Sequence, residues 1–438
     1  MRHWKPLLLV YLLIILSPLL VVSLFGPETY HGLAYDIGRH LALVGFAILV
    51  MQVVLAARLR WVDRAVGLNL AYVLHRNMGI VALAFLLTHP LLLAAGGLGW
   101  DFLIRWDVPW FIWLARLGLL TLLMIVPVSL LWDRLGLQFE TWRLGHDLAG
   151  PFILVLVFVH SWYAGGDLSL VPLQILWLAL ITLGVVLYTY HRLVRPRLLR
   201  RHPYRVTDVQ QEVPGVWTLT FAPPPGREDF DFLPGQWQFL TLLRGRNLPE
   251  EEHHFTISSS PRQKGSHTST IKEVGDFTAT IGQTKPGDEA VIQGPFGRFS
   301  HVVHPELRDL VFIAGGIGIT PLMSNLRHLR DTGTDKKVLL LYANSTEADI
   351  AFRDELAAME AGEKPQLQVV HIISHPGDDW TGEKGHLDRE KLSRLCGDRL
   401  AKSTFFISGP PGLVAAMLSS LDEVGVDQSR ISVEYFAL

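Results

Sequence analysis

The chain has 438 residues, 49% of them hydrophobic, with a formal net charge of −2 and a single cysteine, Cys396. That charge, with no basic, aromatic-interleaved surface, argues against nucleic acid. One cysteine excludes an internal disulfide framework, a CxxCH haem attachment, a thiolate iron–sulfur cluster and a Cys-rich zinc site.

Long apolar runs dominate up to about Tyr190, and Pro/Gly-punctuated segments of ordinary charge density follow. Six runs are long enough to span a bilayer: 7–25, 37–57, 71–95, 110–132, 144–163 and 168–190. The first follows Arg2 and Lys5 but lacks an A-x-A cleavage site, so it reads as a helix rather than a signal peptide. With a cytoplasmic N-terminus, thirteen Lys/Arg fall on the inner side, and only Arg39 and Arg105 lie in outer loops. The expectation is a multi-pass protein of the cell membrane whose second half, joined through "HRLVRPRLLRRHPYR", is cytoplasmic.

Four histidines interrupt the apolar runs. His75 and His89 lie 89 − 75 = 14 residues apart in the third run, and His146 and His160 lie 160 − 146 = 14 apart in the fifth. At ~100° per residue, fourteen residues return to nearly the same helix face, ~21 Å along the axis. Both runs point the same way through the membrane, so His75 is level with His146 and His89 with His160.

A lone histidine in a membrane helix is explained by an interhelical hydrogen bond. Two level pairs suit a different task. Zinc needs a third or fourth nearby ligand, whereas haem iron takes two axial ligands across a flat macrocycle. The spacing therefore predicts two bis-histidine b-type haems, with helix cross-linking as the alternative. Phe152 falls between the two levels, and Arg76 and Arg143 flank the inner pair as propionate partners.

From about Pro203 to His304 the chain is rich in short β-type runs: "YRVTDVQ", "GVWTLTF", "GQWQFLTLL", "HHFTISSS", "FTATIGQ" and "EAVIQGPFG". These predict a small antiparallel barrel. After about Leu307, apolar strands alternate with helical stretches in a parallel α/β nucleotide-binding layout. The predicted domains are 1–200, 201–305 and 306–438. "GGIGITP" (Gly315–Pro321) follows a strand and opens a helix, where backbone N–H groups hold a pyrophosphate. "SGPPG" is a second close-approach turn, and "IKEVGDFT" sets Lys272 and turn amides beside an anionic cofactor.

In this order, these motifs resemble the ferredoxin-NADP reductase-type flavoprotein module. With the six-helix, four-histidine half in front, the chain resembles the NADPH oxidase / ferric reductase family. The resemblance implies an NAD(P)H-dependent flavocytochrome b with FAD, two b haems, and NADPH or NADH as donor. It implies electron transfer across the membrane to a small outer-face acceptor, either O2, giving superoxide, or a ferric chelate. A quinone or periplasmic-protein acceptor and a haem-free membrane-anchored flavin reductase or assembly subunit are the alternatives.

Carried over by residue, "HHFTIS" matches a His-Pro-Phe-Thr flavin stretch and assigns His253, His254, Phe255, Thr256 and Ser258 to FAD, with His254 in the proline's place. Lys272, Gly275, Phe277 and Thr278 match the FAD phosphate segment. Gly315, Gly316, Gly318, Thr320 and Pro321 match the nicotinamide pyrophosphate loop. Ser408, Gly409 and Pro410 match a Cys-Gly-Pro beside the nicotinamide, with serine replacing cysteine. Glu434 and Phe436 match the terminal Glu-x-aromatic signature, whose aromatic covers the flavin until the nicotinamide displaces it. Ser408, Glu434 and Phe436 are the expected catalytic residues. The family also places its haem ligands on the third and fifth helices, where spacing puts them here.

Overall fold

The computed structural model describes residues 4–27, 31–245, 247–304 and 309–435. It divides into two compact units, 1–196 and 197–438.

The first unit is helical: α1 (Trp4–Phe25), α2 (Leu33–Ala56), a short α3 (Arg60–Val66), α4 (Leu68–Leu93), α5 (Trp110–Leu131), α6 (Phe139–Ala164), α7 (Val171–Tyr188) and α8 (Arg195–Arg200). Among the described residues, six helices are long and apolar enough to cross a membrane. The third run of the sequence is thus α4 and the fifth is α6, which begins earlier than hydropathy suggests because Arg143 and His146 interrupt its apolar start.

Helix α2 is the scaffold. Its Phe46, Ala47, Ile48 and Val50 are fully buried, and Phe46 stacks on Trp177 of α7 at 4.7 Å. Small residues let α4 approach it: a Cβ on Gly45 would lie 2.8 Å from Leu86. α4 packs on α2 and α6 on α5, whereas α4 and α6 scarcely meet. Two π-helical turns break the regular pattern, Ala94–Leu98 after α4 and Thr189–Val194 after α7.

The second unit holds two six-stranded sheets. The first is antiparallel, in the order β4-β3-β6-β1-β2-β5. Its strands are β1 (Tyr204–Val213), β2 (Val216–Ala222), β3 (Trp237–Leu243), β4 (Glu252–Thr256), β5 (His267–Lys272) and β6 (Glu289–Phe296). Ser258 N–H, just past β4, donates to Thr268 O of β5 at 2.8 Å, drawing the two end strands together.

One strand expectation changes here. "FTATIGQ" is not a strand; residues Thr278–Gln283 form a 3-10 turn. Thr278 Oγ1 accepts from the N–H groups of Val274 and Gly275, an ST-type closure that competes with strand pairing. "HTSTIK", which is absent from the predicted β-type runs, is a full strand. Its hydroxyls are satisfied inside the barrel, Thr270 by Thr218 and Ser258, and Ser269 by Gln238.

The second sheet is parallel, in the order β10-β9-β8-β7-β11-β12. It comprises β7 (Asp309–Gly315), β8 (Lys337–Asn344), β9 (Gln366–Ile373), a two-residue β10 (Glu383–Lys384), β11 (Thr404–Gly409) and β12 (Ile431–Tyr435). The helices α9 (Ile319–Asp331), α10 (Arg353–Glu360), α11 (Arg389–Cys396), α12 (Arg399–Lys402) and α13 (Pro411–Glu423) connect it. Strand order reverses between β7 and β11, the switch point at which open α/β sheets bind ligands beyond their strand ends. The fold is therefore a six-helix membrane domain, an antiparallel flavin-type domain and a parallel α/β nucleotide-type domain.

Candidate functional site

In the helical unit each of the four histidines has its Nδ1 engaged. His75 Nδ1 lies 3.2 Å from Gln52 O, His89 Nδ1 2.9 Å from Gly38 O, and His160 Nδ1 3.0 Å from Phe111 O. A carbonyl accepts but cannot donate, so in His89 and His160 Nδ1 carries the proton and Nε2 keeps its lone pair, whereas His75 Nδ1 also meets the Gln52 side-chain amide at 2.8 Å. That is how metal-binding imidazoles are oriented. His146 Nδ1 instead lies 3.2 Å from the hydroxyl of Ser129.

The rings of His75 and His146 lie with centroids 5.8 Å apart and planes at 69°, close to the ~6 Å at which two imidazoles share one iron. One turn beyond them, on the same faces, stand Gly79 and Gly150, where an added Cβ would meet nothing within 4 Å. Open space beside two facing imidazoles on unpacked helices fits a flat macrocycle, and the donor set fits haem iron.

The flanking charges are arranged differently from the sequence expectation. Arg143 lies 3.9 Å from Asp147, and Arg192 forms a close ion pair with the same carboxylate. Tyr188 donates to Asp147 O at 3.1 Å. Arg192 was hidden in what reads as a basic linker, and only the π-helical turn carries it back toward His146. Arg76 is exposed, and so is Phe152. At the opposite level, Arg39 pairs with Asp36 and, closely, with the buried Asp167, while His31 Nδ1 lies 3.3 Å from its guanidinium.

In the antiparallel sheet, alternation along β4 sorts the flavin-type residues onto two faces. His253 stacks on Phe277 at 4.4 Å, and Phe255 lies parallel to that ring at 6.3 Å. His254 points the other way, edge-on to Trp237 at 5.5 Å, so it does not join them. Thr256 is buried. The Ser258 hydroxyl is taken up by Thr268 and Thr270 at 2.9 Å each. Lys272 ends β5, opposite Val216.

Sequence reasoning missed Arg244. It is buried, donates to Thr280 O and Thr280 Oγ1 at 2.7 and 2.8 Å, and lies over the Phe277 ring. A single arginine closing a "TLLRGR" run carries no signal that could have found it.

The nucleotide-type loops converge at the switch point. β7 and β11 are in register, with Ser408 opposite Ala314, and Glu434 on β12 opposite Ser408. Gly318 is so close to the second loop that a Cβ would fall 2.4 Å from Ser408 O and 2.6 Å from Gly409 Cα. A Cβ on Gly315 would strike Leu413 at 2.4 Å and Pro410 at 2.9 Å. Gly316 has φ +51°, in the left-handed region. Thr320 and Pro321 are buried at the start of α9, where Thr320 donates to Ile317 O and Pro321 O accepts from Asn325. The Ser408 hydroxyl is fully buried with no partner, a polar atom suited to meeting a ligand at the loop. Phe436 lies outside the described residues.

Residues 41–157 match the family "Ferric reductase like transmembrane component", and residues 312–418 match "Oxidoreductase NAD-binding domain". The glycine betaine monooxygenase reductase subunit of Chromohalobacter salexigens is 32% identical over 54% of this chain and 64% of its own length. NADH-cytochrome b5 reductase 1 of Laccaria bicolor is 29% identical over 49% of this chain and 70% of its own. A flavohemoglobin structure from Malassezia yamatoensis aligns with TM-score 0.51 at 18% identity, covering 92% of this chain and 98% of that one, a likeness of fold. The chain spans between 60% and 70% of the curated relatives it matches. A ferric reductase-like transmembrane component followed by a nicotinamide-type oxidoreductase domain is the architecture of the NADPH oxidase / ferric reductase family, and this chain, an NAD(P)H oxidoreductase, has that architecture.

Proposed function

We propose that the chain takes electrons from NADH or NADPH on the cytoplasmic side and delivers them, through FAD and two b haems, to O2 on the outer face, releasing superoxide. The observation that carries this reading is the set of four imidazoles, spaced as two level pairs, of which His89 and His160 have a carbonyl-bound Nδ1 that leaves Nε2 as a lone-pair donor. When bound, the flavin accepts a hydride and returns two electrons one at a time, and the haems carry single electrons. His75 with His146, and His89 with His160, hold the two irons. His253, Phe255 and Phe277 line the flavin, and Lys272, Gly275 and Thr278 stand at its phosphates. Gly315, Gly316 and Gly318 cradle the dinucleotide pyrophosphate, Ser408 and Gly409 lie against the nicotinamide, and Glu434 stands beside Ser408.

An iron held by two of these histidines would keep no position for the acceptor, which would then receive its electron without binding the metal. Oxygen is favoured over ferric chelates because Arg39, a cation at the outer level, is already neutralised by Asp36 and Asp167 and offers little to an anionic chelate. Outward electron movement is assisted by an inside-negative membrane by ~2.3 kcal/mol per electron per 100 mV.

The test is an absorbance spectrum of detergent-purified protein before and after anaerobic addition of NADH with FAD. Two low-spin b haems per chain, reduced by the nucleotide, are expected. A flavin spectrum without haem would leave a membrane-anchored flavin reductase whose histidines cross-link helices. Superoxide-dependent dye reduction compared with ferric-citrate reduction then separates the acceptors.

A further inference from the structure

The four Nδ1 partners are not equivalent. Gln52, Gly38 and Phe111 present main-chain carbonyls, strong acceptors with no proton of their own. His146 alone faces a hydroxyl, and that oxygen is already shared: Trp142 Nε1–H donates to Ser129 Oγ at 3.1 Å. We propose that Ser129 and Trp142 are tuning residues that raise the reduction potential of the haem held by His75 and His146. The proposal rests on the haem reading given above.

The chemistry runs through the ring. A strong acceptor on Nδ1–H gives the imidazole anionic character, and an electron-rich ligand stabilises the ferric state. Ser129 Oγ has part of its acceptor capacity taken by the indole, so it draws less on His146 than a carbonyl would. His146 is therefore less electron-rich than His89 and His160, and its iron would be easier to reduce than theirs. His75 and His146 are the pair expected to receive the electron first, and a readily reduced centre favours that acceptance.

The arrangement is held in place. Trp142 and His146 are i and i+4 on α6 and share a face, with Ser129 reaching them from α5. The Trp142 ring stacks on His146 at 5.6 Å and 28°, and on Trp132 at 5.6 Å and 23°, with Phe139 packed against both tryptophans. An indole fixed on both faces cannot swing its N–H away from Ser129.

The test is an optical redox titration of the purified full chain, with His160→Ala used to identify which component belongs to His75/His146. Trp142→Phe keeps the ring but removes the N–H. It should restore acceptor strength to Ser129 and lower that component, changing its oxidised-to-reduced ratio at fixed potential by about tenfold, or 59 mV for one electron. Ser129→Ala removes the acceptor and should move the same component upward. Ser129→Thr, which keeps the hydroxyl, should leave it in place. The other component should stay put in all three. Shifts of the same sign in Trp142→Phe and Ser129→Ala, equal shifts in both haems, or no shift would overturn the tuning while two haems per chain keep the wider reading. Wild-type protein without low-spin haem would overturn both.

Discussion

Gly318→Ala tests the nucleotide site through its tightest contact. The added Cβ would lie 2.4 Å from Ser408 O and 2.6 Å from Gly409 Cα, where ordinary contacts begin near 3.4 Å. Both obstacles are main chain, so no rotamer change relieves them, and one of the two loops must retreat by roughly 1 Å. Overpacking of this kind costs ~1–3 kcal/mol. The unit spans 438 − 197 + 1 = 242 residues, so melting should fall by roughly 2–12 °C at ~2–4 °C per kcal/mol. Because the loops are also the proposed binding surface, a 1 Å displacement should slow anaerobic flavin reduction by about 10²-fold. Gly377→Ala is the control, since an added Cβ there meets only Glu347 Oε1 at an ordinary 3.5 Å. The measurements are thermal melting and stopped-flow bleaching of the flavin with NADH. If Gly318→Ala melts and reduces like Gly377→Ala, the close approach of the two loops is wrong.

Removing one histidine of each pair should have separable effects. His146→Ala and His89→Ala should each leave one b haem per chain by pyridine haemochrome assay, and the double variant none; a single variant that retained both would break the pairing. At Ser408, the buried hydroxyl has no partner to lose, so Ser408→Ala should change stability by less than about 0.5 kcal/mol while slowing flavin reduction. Ser408→Cys should restore the rate. An unchanged rate in both would remove Ser408 from the nicotinamide site. His301 supplies a pH test. Burial comes first among the causes that push its imidazole down to about 4, with a donor bond to Asn325 opposing and His328 and Lys336 adding like charge. The folded state thus binds fewer protons than the unfolded one. The stabilisation is full above the ordinary value near 6.5 and is lost as pH falls from there toward 4, by roughly 3 kcal/mol in all. Denaturant midpoints of the 197–438 unit in the full chain should drop across that window, and His301→Gln should flatten the slope.

Much of the architecture was legible because its signals are long or rigid. Twenty-residue apolar runs are set by bilayer thickness, and a fourteen-residue histidine interval follows from helix pitch. The Gly-rich turns were legible because a side chain at Gly315 or Gly318 would collide with the neighbouring loop. Short polar segments were not legible. "HTSTIK", not singled out in the sequence, forms a strand because barrel partners satisfy its hydroxyls, and "FTATIGQ" does not because Thr278 closes a local turn first. Both outcomes depend on partners distant in sequence or on one local bond, and neither leaves a periodic trace. In "HHFTIS", matching a motif gathers six residues together, whereas strand alternation divides them, with His253 and Phe255 toward Phe277 and His254 toward Trp237.

The same distinction separates holding a metal from tuning it. Ligands must be histidines, and the sequence displays them. Their supports are mostly main-chain carbonyls of Gln52, Gly38 and Phe111, and any residue type supplies a carbonyl. At Gly38 and Phe111 the contacts are fixed by where α2 and α5 pass, not by side-chain identity. Side chains enter at two places among the described residues: Ser129 with Trp142 at His146, and the Gln52 amide, 2.8 Å from His75 Nδ1. Two b haems held as proposed would need some means of making their potentials differ, and the place proposed for it is where a side chain, rather than the backbone, meets the imidazole.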